Sequence, residues 1–599
     1  MAWTQVINPL DNLFLSALVA AIPILFMFYA LAIARMKGHI AGSITLLLAI
    51  GVAVFVHGMP ANLAVWSSIY GALYGLFPIG WIVLTAVFLY QLTVKSGQFE
   101  IIKDSIAAIT DDRRLQALLI AFGFGAFLEG AAGFGTPVAI TAGMLVGLGF
   151  NPLYAAGLCL IANTAPVAFG GIGIPIITAG AVSGIDAMAI SQMVGRQLPF
   201  LSVFVPFWLV FIMAGWKGAK EVMPAIMVSG VSFAVAQWFS ANYLSPMLPD
   251  IISALVSIVA MVLFLRTWKP KNVWRFKDEP PATLQVKKHS FGVIAKAWSP
   301  FIVLTILIGD WGLKSVKTLL DVVTIIIPFD AINKVIIAGG KPIEVVYKFN
   351  YLSAAGTAIL ISAIITALIL KISFGDFMKT FRETLKSLTF PLITIACVLG
   401  FAYVANWSGM TPTLGKAFTV TGALFPLVSP ILGWLGVFVT GSDTSANALF
   451  GKMQAVTAAD IGVDPVLTVA ANASGGVAAK MISPQSIAVA TAACNLVGKE
   501  GDLFRFTVLH SLFFTSIVCV ITYLQAYVFT WMIPVYETTK QAAAKLSPEA
   551  VAAAEAALHS QGALIMAATA VVVLTIAVYA YKQVGDGKFN RDSAKISVH

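Results

Sequence analysis

The sequence predicts an all-α polytopic membrane protein with roughly 12 or more spanning helices in a single transmembrane domain. Of the 599 residues, 59% are hydrophobic and only 11% are charged, whereas ordinary soluble domains are about 25% charged. Apolar segments of about 20 residues, the length that crosses a bilayer as a helix, recur along the whole chain. An ordered internal repeat is the third observation, and it predicts an inverted topology with discontinuous helices.

The apolar segments follow one another in a regular order. We expect spans near 13–34, 40–57, 77–94, 152–169, 197–215, 222–244, 250–268, 291–313, 351–371, 390–405 and 562–581. Residues 61–76 and 372–389 have the pattern of amphipathic helices, and 269–290 is a polar, Pro-containing central loop. Residues 314–350 show no clear pattern, and 538–558 predict a polar, Ala-rich helix.

The net charge of +10 indicates basic cytoplasmic loops rather than nucleic-acid binding, because Lys and Arg concentrate on the cytoplasmic side of polytopic proteins. The basic sites are Arg35 with Lys37, Arg113 with Arg114, the clusters at 269–288 and 371–386, and the tail after Lys582. Placing them inside the cell predicts an external N-terminus and a cytoplasmic C-terminus. Residues 57–62, residues 314–350 and the loop before 562 then lie outside.

Nothing in the sequence predicts a cofactor, a metal site or an enzyme. Four cysteines lie in apolar surroundings without metal-ligand spacing, which is typical of small buried residues: Cys159, Cys397, Cys494 and Cys519. The sequence has no phosphate-binding loop, no H-E-x-x-H and no G-x-S-x-G motif. Ser442 and Ser445 have no histidine nearby in sequence, which argues against a hydrolase.

Two parts of the chain resemble each other in the same order. The matched segments are FPIGWIVLTAVFLY (77–90) with FPLITIACVLGFAY (390–403), GAFLEG (125–130) with GVFVTG (436–441), GFNP (149–152) with GVDP (462–465), and ANTAPVAFGGIGIP (162–175) with ANASGGVAAKMISP (471–484). The offsets between the matched positions stay between 309 and 313. We therefore predict one repeat over 77–244 and a second over 390–532, with 562–581 as an additional C-terminal helix.

The charges next to the first helix of each repeat indicate that the two copies have opposite orientations. The helix at 77–94 runs toward the basic loop that contains Arg113, whereas the helix at 390–405 starts at the basic cluster 371–386. Inverted repeats with broken helices and a site near the midplane are the architecture of many secondary transporters. The repeat therefore favours a transport function.

The repeats contain most of the charged residues that are predicted to lie inside the membrane. Glu129 is the one ionisable residue between Leu115 and Phe150, and a cluster of Gly and Pro follows it. Asp443 and Lys480 interrupt apolar surroundings in the second copy. A charge inside the bilayer costs a few kcal/mol and usually marks a transport pathway or proton relay. Since the start of a half-helix is a ready anion site, this pattern predicts an anionic substrate that moves with a proton.

Three further charged or titratable residues are candidates with simpler alternatives. Arg196 and Arg505 begin helices after the second break of each copy, but both follow polar turns and fit an interfacial position. His510 lies on an otherwise apolar helix and fits a packing role. Glu129 and Asp443 could likewise cap a helix or pair with a neighbouring cation.

Seven long motifs closely resemble the bacterial L-lactate permease family. They are GAFLEGAAGFGTPVAITA (125–142), LYAAGLCLIANTAPVAFG (153–170), GRQLPF (195–200), LGWLGVFVTGSDTSANALF (432–450), GGVAAKMISPQSIA (475–488), VGKEGDLFRFTVLHSL (497–512) and LQAYVFTWM (524–532). The resemblance covers most of the chain and is weakest at 270–350 and after about 535. It implies uptake of lactate, and commonly glycolate, by proton symport across the bacterial cytoplasmic membrane.

Together, the residues and the resemblance predict a set of roles. Asp443 and Glu129 are the candidates for handling the proton or polarising the site. Lys480, with Arg505 or Arg196, would hold the substrate carboxylate. The polar residues that could bind the 2-hydroxyl are Ser442, Thr444, Ser445, Asn447, Asn163 and Asn472.

Two alternatives to this function stay open at this point. The first is a Na⁺-coupled carrier of another small organic anion, because Asp and Asn beside broken helices also ligate Na⁺. The second is a channel or a membrane-embedded enzyme. Beyond the substrate and the proton, the expected partner is the lipid bilayer, and the sequence predicts no particular oligomer.

Overall fold

The computed structural model describes residues 2–133, 135–277, 279, 286–536 and 548–583, and within them the chain is mostly helical. These residues include 11 helices that are long and apolar enough to cross a membrane, or up to 13 if each of two bent pairs counts as one span. The predicted all-α polytopic class is confirmed. Parts of the predicted loop 269–290 and helix 538–558, and nearly all of the basic tail, lie outside the described residues.

The helices occur in two groups on either side of the central loop. Those before the loop are α1 (Leu13–Ala20), α2 (Ile22–Phe28), α3 (Gly38–Phe55), α4 (Ala61–Tyr74), α5 (Trp81–Lys95), α6 (Gln98–Ala107), α7 (Arg113–Gln116), α8 (Gly125–Ala131), α9 (Thr136–Gly147), α10 (Pro152–Ala162), α11 (Gly170–Ser183), α12 (Ala187–Val194), α13 (Leu198–Glu221), α14 (Met223–Tyr243) and α15 (Pro249–Thr267). Those after it are α16 (Phe291–Gly312), α17 (Lys314–Asp321), α18 (Ala355–Ile369), α19 (Phe374–Ser408), α20 (Met410–Phe418), α21 (Phe425–Thr440), α22 (Asp443–Asp460), α23 (Pro465–Ala479), α24 (Pro484–Ala493), α25 (Glu500–Tyr527) and α26 (Pro548–Lys582).

The segment 314–350 forms α17 and most of two small sheets. The strands are β1 (Trp3–Thr4), β2 (Ile325–Pro328), β3 (Ile336–Ala338), β4 (Lys341–Pro342) and β5 (Val346–Phe349). β1 pairs in parallel with β3, β3 pairs antiparallel with β4, and β2 pairs antiparallel with β5. The N-terminal strand and this segment therefore lie at the same end of the molecule.

Further contacts define this end, which we call the strand face. His57 Nδ1 lies 2.9 Å from the Val6 carbonyl oxygen, and Thr413 Oγ1 donates a hydrogen bond to the Ile7 carbonyl. The strand face thus brings together the N-terminus, residues 57–62 and residues 314–350, which the sequence predicts to lie on one side of the membrane.

A second set of contacts defines the basic face. Arg114 donates hydrogen bonds to Glu221 Oε2 at 2.8 Å and to the Asn272 carbonyl at 3.2 Å. Asp112 Oδ2 accepts a hydrogen bond from the Trp274 backbone N–H at 2.9 Å. α16, about 33 Å long at 1.5 Å per residue, leads from the central loop to α17 and the sheets, so the two faces lie at opposite ends. Which face is cytoplasmic stays a prediction.

Two predicted helix boundaries are wrong. Residues 372–389 and 390–405 do not form separate helices, because α19 continues through both for 35 residues. Pro391 removes one backbone hydrogen bond, but no glycine or cluster of turn residues accompanies it to end the helix. Similarly, α26 continues for 35 residues from Pro548 to Lys582, through the predicted loop before 562. The predicted boundary between 61–76 and 77–94 agrees with the structure, because Phe77 has non-helical backbone angles (φ −144°, ψ 122°) between α4 and α5.

The matched GFNP and GVDP motifs have the same local role. Asn151 accepts a hydrogen bond from the Leu153 backbone N–H at 3.0 Å, and Asp464 accepts one from Val466 at 2.9 Å. A proline follows each capping residue as the first residue of α10 and of α23, the position where its missing N–H costs nothing. The two motifs therefore start equivalent helices in the two predicted copies.

Candidate functional site

Each predicted copy contributes a helical hairpin and a broken helix. In the first copy, residues 132–135 separate α8 from α9, and residues 163–169 separate α10 from α11, where the chain bends by 65°. In the second copy, residues 441–442 separate α21 from α22, and residues 480–483 separate α23 from α24. The helix break that the sequence predicts beside Glu129 is confirmed by the first hairpin.

The two hairpins enter from opposite faces of the molecule. The π-helical segment before α8 begins close to Arg113 on the basic face, and Phe150 after α9 packs against Phe276 of the central loop, with ring centroids 5.3 Å apart. Thr457 of α22 donates a hydrogen bond at 2.9 Å to the Gly415 carbonyl of α20, the helix that contacts the N-terminal segment. An inverted repeat would produce this arrangement, although the repeat itself stays a prediction.

The breaks surround a cavity of about 90 Å³, which is space for several water molecules or one small organic anion. Glycines and apolar residues form much of its wall. Its polar lining residues are Glu129, Ser442, Asp443, Thr444, Lys480, Gln485 and Ser486. Five of the predicted site residues therefore meet at one place, although they come from segments more than 300 positions apart.

The N-terminal ends of α9, α11, α22 and α24 border this cavity. Ser442 caps α22 and Ser483 caps α24 through their side chains, whereas α9 and α11 have no side-chain cap. The first turn of α11 adopts left-handed backbone angles at Gly171 and Ile172. Unpaired backbone N–H groups and the positive ends of helix dipoles favour an anion. The cavity is therefore suited to a carboxylate ligand.

One cation and two carboxylates lie in this site. Glu129 is 4% exposed and Asp443 is 3% exposed. Lys480 lies close enough to both for electrostatic attraction, and its Nζ donates a hydrogen bond to the Gly441 carbonyl at 2.7 Å. Glu129 Oε2 and Asp443 Oδ1 have no hydrogen-bond partner among the described residues. Each carboxylate thus has one buried oxygen for which the described residues provide no hydrogen-bond donor.

A buried chain of hydrogen bonds holds the other oxygen of Asp443. Asn447 Nδ2 donates to Asp443 Oδ2 at 3.3 Å, and Asn472 Nδ2 donates to Asn447 Oδ1 at 2.9 Å. Gln454 Nε2 donates to Asn472 Oδ1 at 3.1 Å, and Ser429 Oγ donates to Gln454 Oε1 at 2.8 Å. Asn447 and Asn472 are therefore engaged with each other and do not line the cavity. Their place in the structure favours positioning Asp443 over binding a substrate hydroxyl.

The remaining polar candidates lie beside the cavity without lining it. Asn163 is a neighbour of Glu129, but its side-chain amide forms no hydrogen bond of normal geometry with the described residues. Ser445 contributes its backbone N–H to the Ser442 cap. Gly170 lies so close to Glu129 that a Cβ atom there would be 2.5 Å from Glu129 Oε1. The Glu129 carboxylate is thus held between α8 and the start of α11.

The two arginines and the histidine lie away from the cavity. Arg196 donates hydrogen bonds to Asn242 Oδ1 at 2.9 Å and to the Met532 carbonyl at 2.8 Å, which fits a structural role between α12, α14 and the segment that follows α25. Arg505 is exposed on α25. His510 accepts a hydrogen bond from Trp208 Nε1 at 3.2 Å. In this conformation Lys480 is the cation that borders the cavity within the described residues.

Three polar residues near the site were not among the predicted candidates. Gln485 and Ser486 line the cavity from the first turn of α24. Both belong to the MISPQS motif (481–486) directly after Lys480, and the polar residues of this motif could have identified them from the sequence. Asp250, buried at the start of α15, lies near Glu129. Because Asp250 occurs at the edge of a predicted span, its sequence position resembles that of an ordinary interfacial residue.

Comparisons with known proteins agree with the resemblance found in the sequence. A sequence model of the L-lactate permease family matches residues 16–529. The L-lactate permease of Bacillus subtilis (strain 168) is 57% identical over 564 residues, and the match covers 89% of this chain and 100% of that protein. Glycolate permease GlcA of Escherichia coli (strain K12) is 55% identical over 557 residues, with the same coverage. The L-lactate permease of Salmonella typhimurium is 53% identical over 551 residues and covers 89% of this chain and 100% of that protein.

The match extends from α1 to the end of α25 and includes every element that borders the cavity. Only α26 and the flanking residues at each terminus lie outside the matched range. The agreement therefore concerns the whole helical core and not a single motif. The chain belongs to the L-lactate permease family.

Proposed function

We propose that this permease imports lactate, and also glycolate, together with protons by alternating access. Relatives that are more than half identical to the chain are named as L-lactate and glycolate permeases. Both substrates are small 2-hydroxy monocarboxylates, and the cavity has space for one such anion. The observation that carries the proposal is the meeting of four helix N-termini, Lys480 and two carboxylates at one cavity.

The substrate carboxylate would bind to Lys480 and to the backbone N–H groups at the start of α9 and α11. Hydrogen bonds to charged groups are about twice as strong as neutral ones, and the dipoles of the surrounding helices add to the attraction. Polar side chains remain for the 2-hydroxyl on the same cavity wall, namely Ser442, Thr444, Gln485 and Ser486.

The charges in the cavity provide a reason for proton coupling. Two carboxylates surround one ammonium group, so the substrate anion would enter a site that is already negative. A proton on Glu129 or Asp443 removes one negative charge and frees Lys480 to pair with the substrate. The proton and the anion would therefore bind together, which is the requirement for symport.

Alternating access would follow from movement of the two hairpins relative to the rest of the protein. α8–α9 enters from the basic face and α21–α22 enters from the strand face. Separating either hairpin from the site would open a path to one side only, as in other carriers with broken helices. With the basic face in the cytoplasm, the N-terminus lies outside and the C-terminus inside the bacterial cytoplasmic membrane.

Transport in proteoliposomes tests this proposal. Purified full-length protein should accumulate labelled L-lactate when an inward proton gradient is applied in Na⁺-free buffer, and a protonophore should abolish the accumulation. Glycolate should compete with lactate, and pyruvate tests whether the hydroxyl is required. Accumulation that needs Na⁺ would instead indicate a Na⁺-coupled carrier, and equilibration without accumulation would indicate a channel.

A further inference from the structure

Asp250 is a buried carboxyl group to which the proposed function assigns no role. It lies in the first turn of α15, and its side chain is 1% exposed. Neither Oδ1 nor Oδ2 has a hydrogen-bond partner among the described residues. A buried carboxyl group without donors is unusual, because the desolvation of an unpaired polar group costs free energy.

Close packing between α15 and α8 brings Asp250 next to Glu129. A Cβ atom at Gly130 would lie 2.7 Å from Asp250 Cβ and 3.1 Å from the Ile251 backbone nitrogen. The loop before α15 also packs against the broken start of α11, where a Cβ atom at Gly173 would lie 2.1 Å from the Pro246 carbonyl oxygen. Asp250 therefore packs against Gly130, the residue that follows Glu129, and it lies outside the lining of the cavity.

Two ordinary roles for this aspartate do not fit the contacts. An acidic residue in a first helical turn commonly accepts hydrogen bonds from backbone N–H groups, but Asp250 accepts none. An ion pair is excluded within the described residues, because Glu129 is the charged group that interacts with Asp250, and that interaction is repulsive.

The other titratable groups on neighbouring elements do not compensate Asp250. Tyr243 at the end of α14 is exposed, and Asp310 of α16 faces Thr569. Lys480 and Asp443 interact with Glu129, and both line the cavity, whereas Asp250 does not. Two carboxyl groups that are buried together favour a state in which one of them keeps a proton. Because only Glu129 has a cation near it, Asp250 is the member better suited to be neutral.

We propose that Asp250 holds the transported proton in this conformation, with Glu129 as the group through which the proton enters. This inference rests on the proposed proton symport. A proton from the cavity binds to the Glu129 carboxylate and then passes to the Asp250 carboxylate. While Asp250 holds the proton it is neutral in its apolar surroundings. The cluster of Glu129, Asp443 and Asp250 then carries one negative charge fewer, as the proposed symport requires before the substrate anion binds. When α15 and α8 move apart during the access change, Asp250 regains access to water and releases the proton.

Two transport assays on the full-length protein separate coupling from substrate binding. Asp250→Asn keeps the shape of the side chain but cannot release a proton. We expect this variant to exchange labelled lactate across the liposome membrane within about twofold of wild type and to lose accumulation driven by a proton gradient. Ser253→Ala is the matched control, because Ser253 lies one turn further along α15 and its hydroxyl bonds only to the Pro249 carbonyl. It should retain both activities.

Infrared spectroscopy provides a readout that does not depend on transport. The C=O band of a protonated carboxylic acid should be present in the wild-type protein at neutral pH and reduced in Asp250→Asn. Wild-type protein without proton-driven accumulation would refute the proposed symport, while the infrared band would still report whether Asp250 is protonated.

Three results would overturn the assignment of Asp250. One is proton-driven accumulation by Asp250→Asn at the wild-type level, and another is an infrared band that is identical in the two proteins. If Asp250→Asn loses exchange as well, Asp250→Glu decides, because it restores an ionisable carboxyl at this position. Recovery of accumulation in Asp250→Glu would support the proposal, and failure to recover would count against it.

Discussion

Gly476 of α23 packs directly against the carboxylate of Asp443. A Cβ atom at position 476 would lie 2.3 Å from Asp443 Oδ1 and 2.7 Å from Val437 Cγ2. Gly170 has the same relation to Glu129, with a distance of 2.5 Å to Oε1. In both predicted copies, a glycine thus provides the space that a buried carboxylate of the site occupies.

Gly476→Ala should therefore displace the Asp443 carboxylate and slow transport. The added methyl group cannot fit without moving the Asp443 side chain, and a change of about 1.4 kcal/mol at the site corresponds to about a tenfold loss. We expect at least that loss in the rate of lactate exchange in proteoliposomes. Gly143→Ala is the control, because no atom lies within 4 Å of the added Cβ. Equal exchange rates in the two variants would show that the position of Asp443 is unimportant.

Lys480→Gln should weaken lactate binding. The substitution removes the cation that borders the cavity, and hydrogen bonds to charged groups contribute about 1.5–3 kcal/mol, so the affinity should fall by about 10- to 100-fold. Calorimetric titration of the detergent-solubilised protein with lactate measures this change.

The matched control for this variant is Lys452→Gln. Lys452 also donates a hydrogen bond to a backbone carbonyl, that of Ser183 at 3.0 Å, but it does not line the cavity. Its substitution should leave the affinity near the wild-type value. A similar loss in both variants would point to a general structural effect and would remove Lys480 from the binding site.

Asp443→Asn should uncouple lactate movement from the proton. Asparagine keeps the size of the side chain and can still accept the hydrogen bond from Asn447, but it permanently removes one negative charge from the cavity, so lactate no longer needs a proton in order to bind. We expect exchange of labelled lactate to continue while accumulation driven by a proton gradient is lost. Full proton-driven uptake by this variant would exclude Asp443 from the coupling mechanism.

Asn472→Ala should destabilise the protein more than Asn163→Ala. Asn472 bonds to both Asn447 and Gln454 in the buried chain that leads to Asp443, whereas the Asn163 amide makes no such bond. Leaving buried partners unsatisfied costs about 1–3 kcal/mol. The apparent melting temperature in detergent should fall clearly for Asn472→Ala and little for Asn163→Ala. A larger fall in melting temperature for Asn163→Ala would show that these hydrogen bonds do not stabilise α22 and α23.

The features that the sequence predicts correctly depend on local chemistry. The break after Glu129 follows from a cluster of glycine and proline, and the start of the predicted run 152–169 follows from an Asn-Pro pair. Similarly, the charges of Glu129, Asp443 and Lys480 in apolar surroundings identify them as unusual in any fold. Local signals of this kind do not need knowledge of which helices are neighbours.

The features that the sequence does not predict depend on tertiary contacts. Asn447 and Asn472 have the composition of substrate-binding residues, and only the packing of α22 against α23 shows that they bond to each other. Asp250 becomes a buried neighbour of Glu129 only because Gly130 lets α15 approach α8. Arg505 matches Arg196 by position in the predicted repeat, but position alone does not bring it to the cavity.

Glu279→Gln should make the basic face less stable in a pH-dependent way. Burial alone would raise the pKa of Glu279, but the hydrogen bond from Arg113 and the charges of Arg113 and Arg275 outweigh it, so its pKa is lowered. A lowered pKa means that Glu279 stabilises the fold above the ordinary glutamate pKa of about 4.3, and that this contribution is lost as the pH falls through the lowered value. The melting temperature of Glu279→Gln should therefore lie below that of wild type at pH 7 and approach it in acid.

Glu100→Gln is the control for this prediction, because it removes an exposed pair with Lys103. It should show a smaller difference from wild type, since exposed ion pairs contribute about 0–1 kcal/mol. A difference between Glu279→Gln and wild type that persists unchanged in acid would mean that packing, and not the charge of Glu279, stabilises this contact.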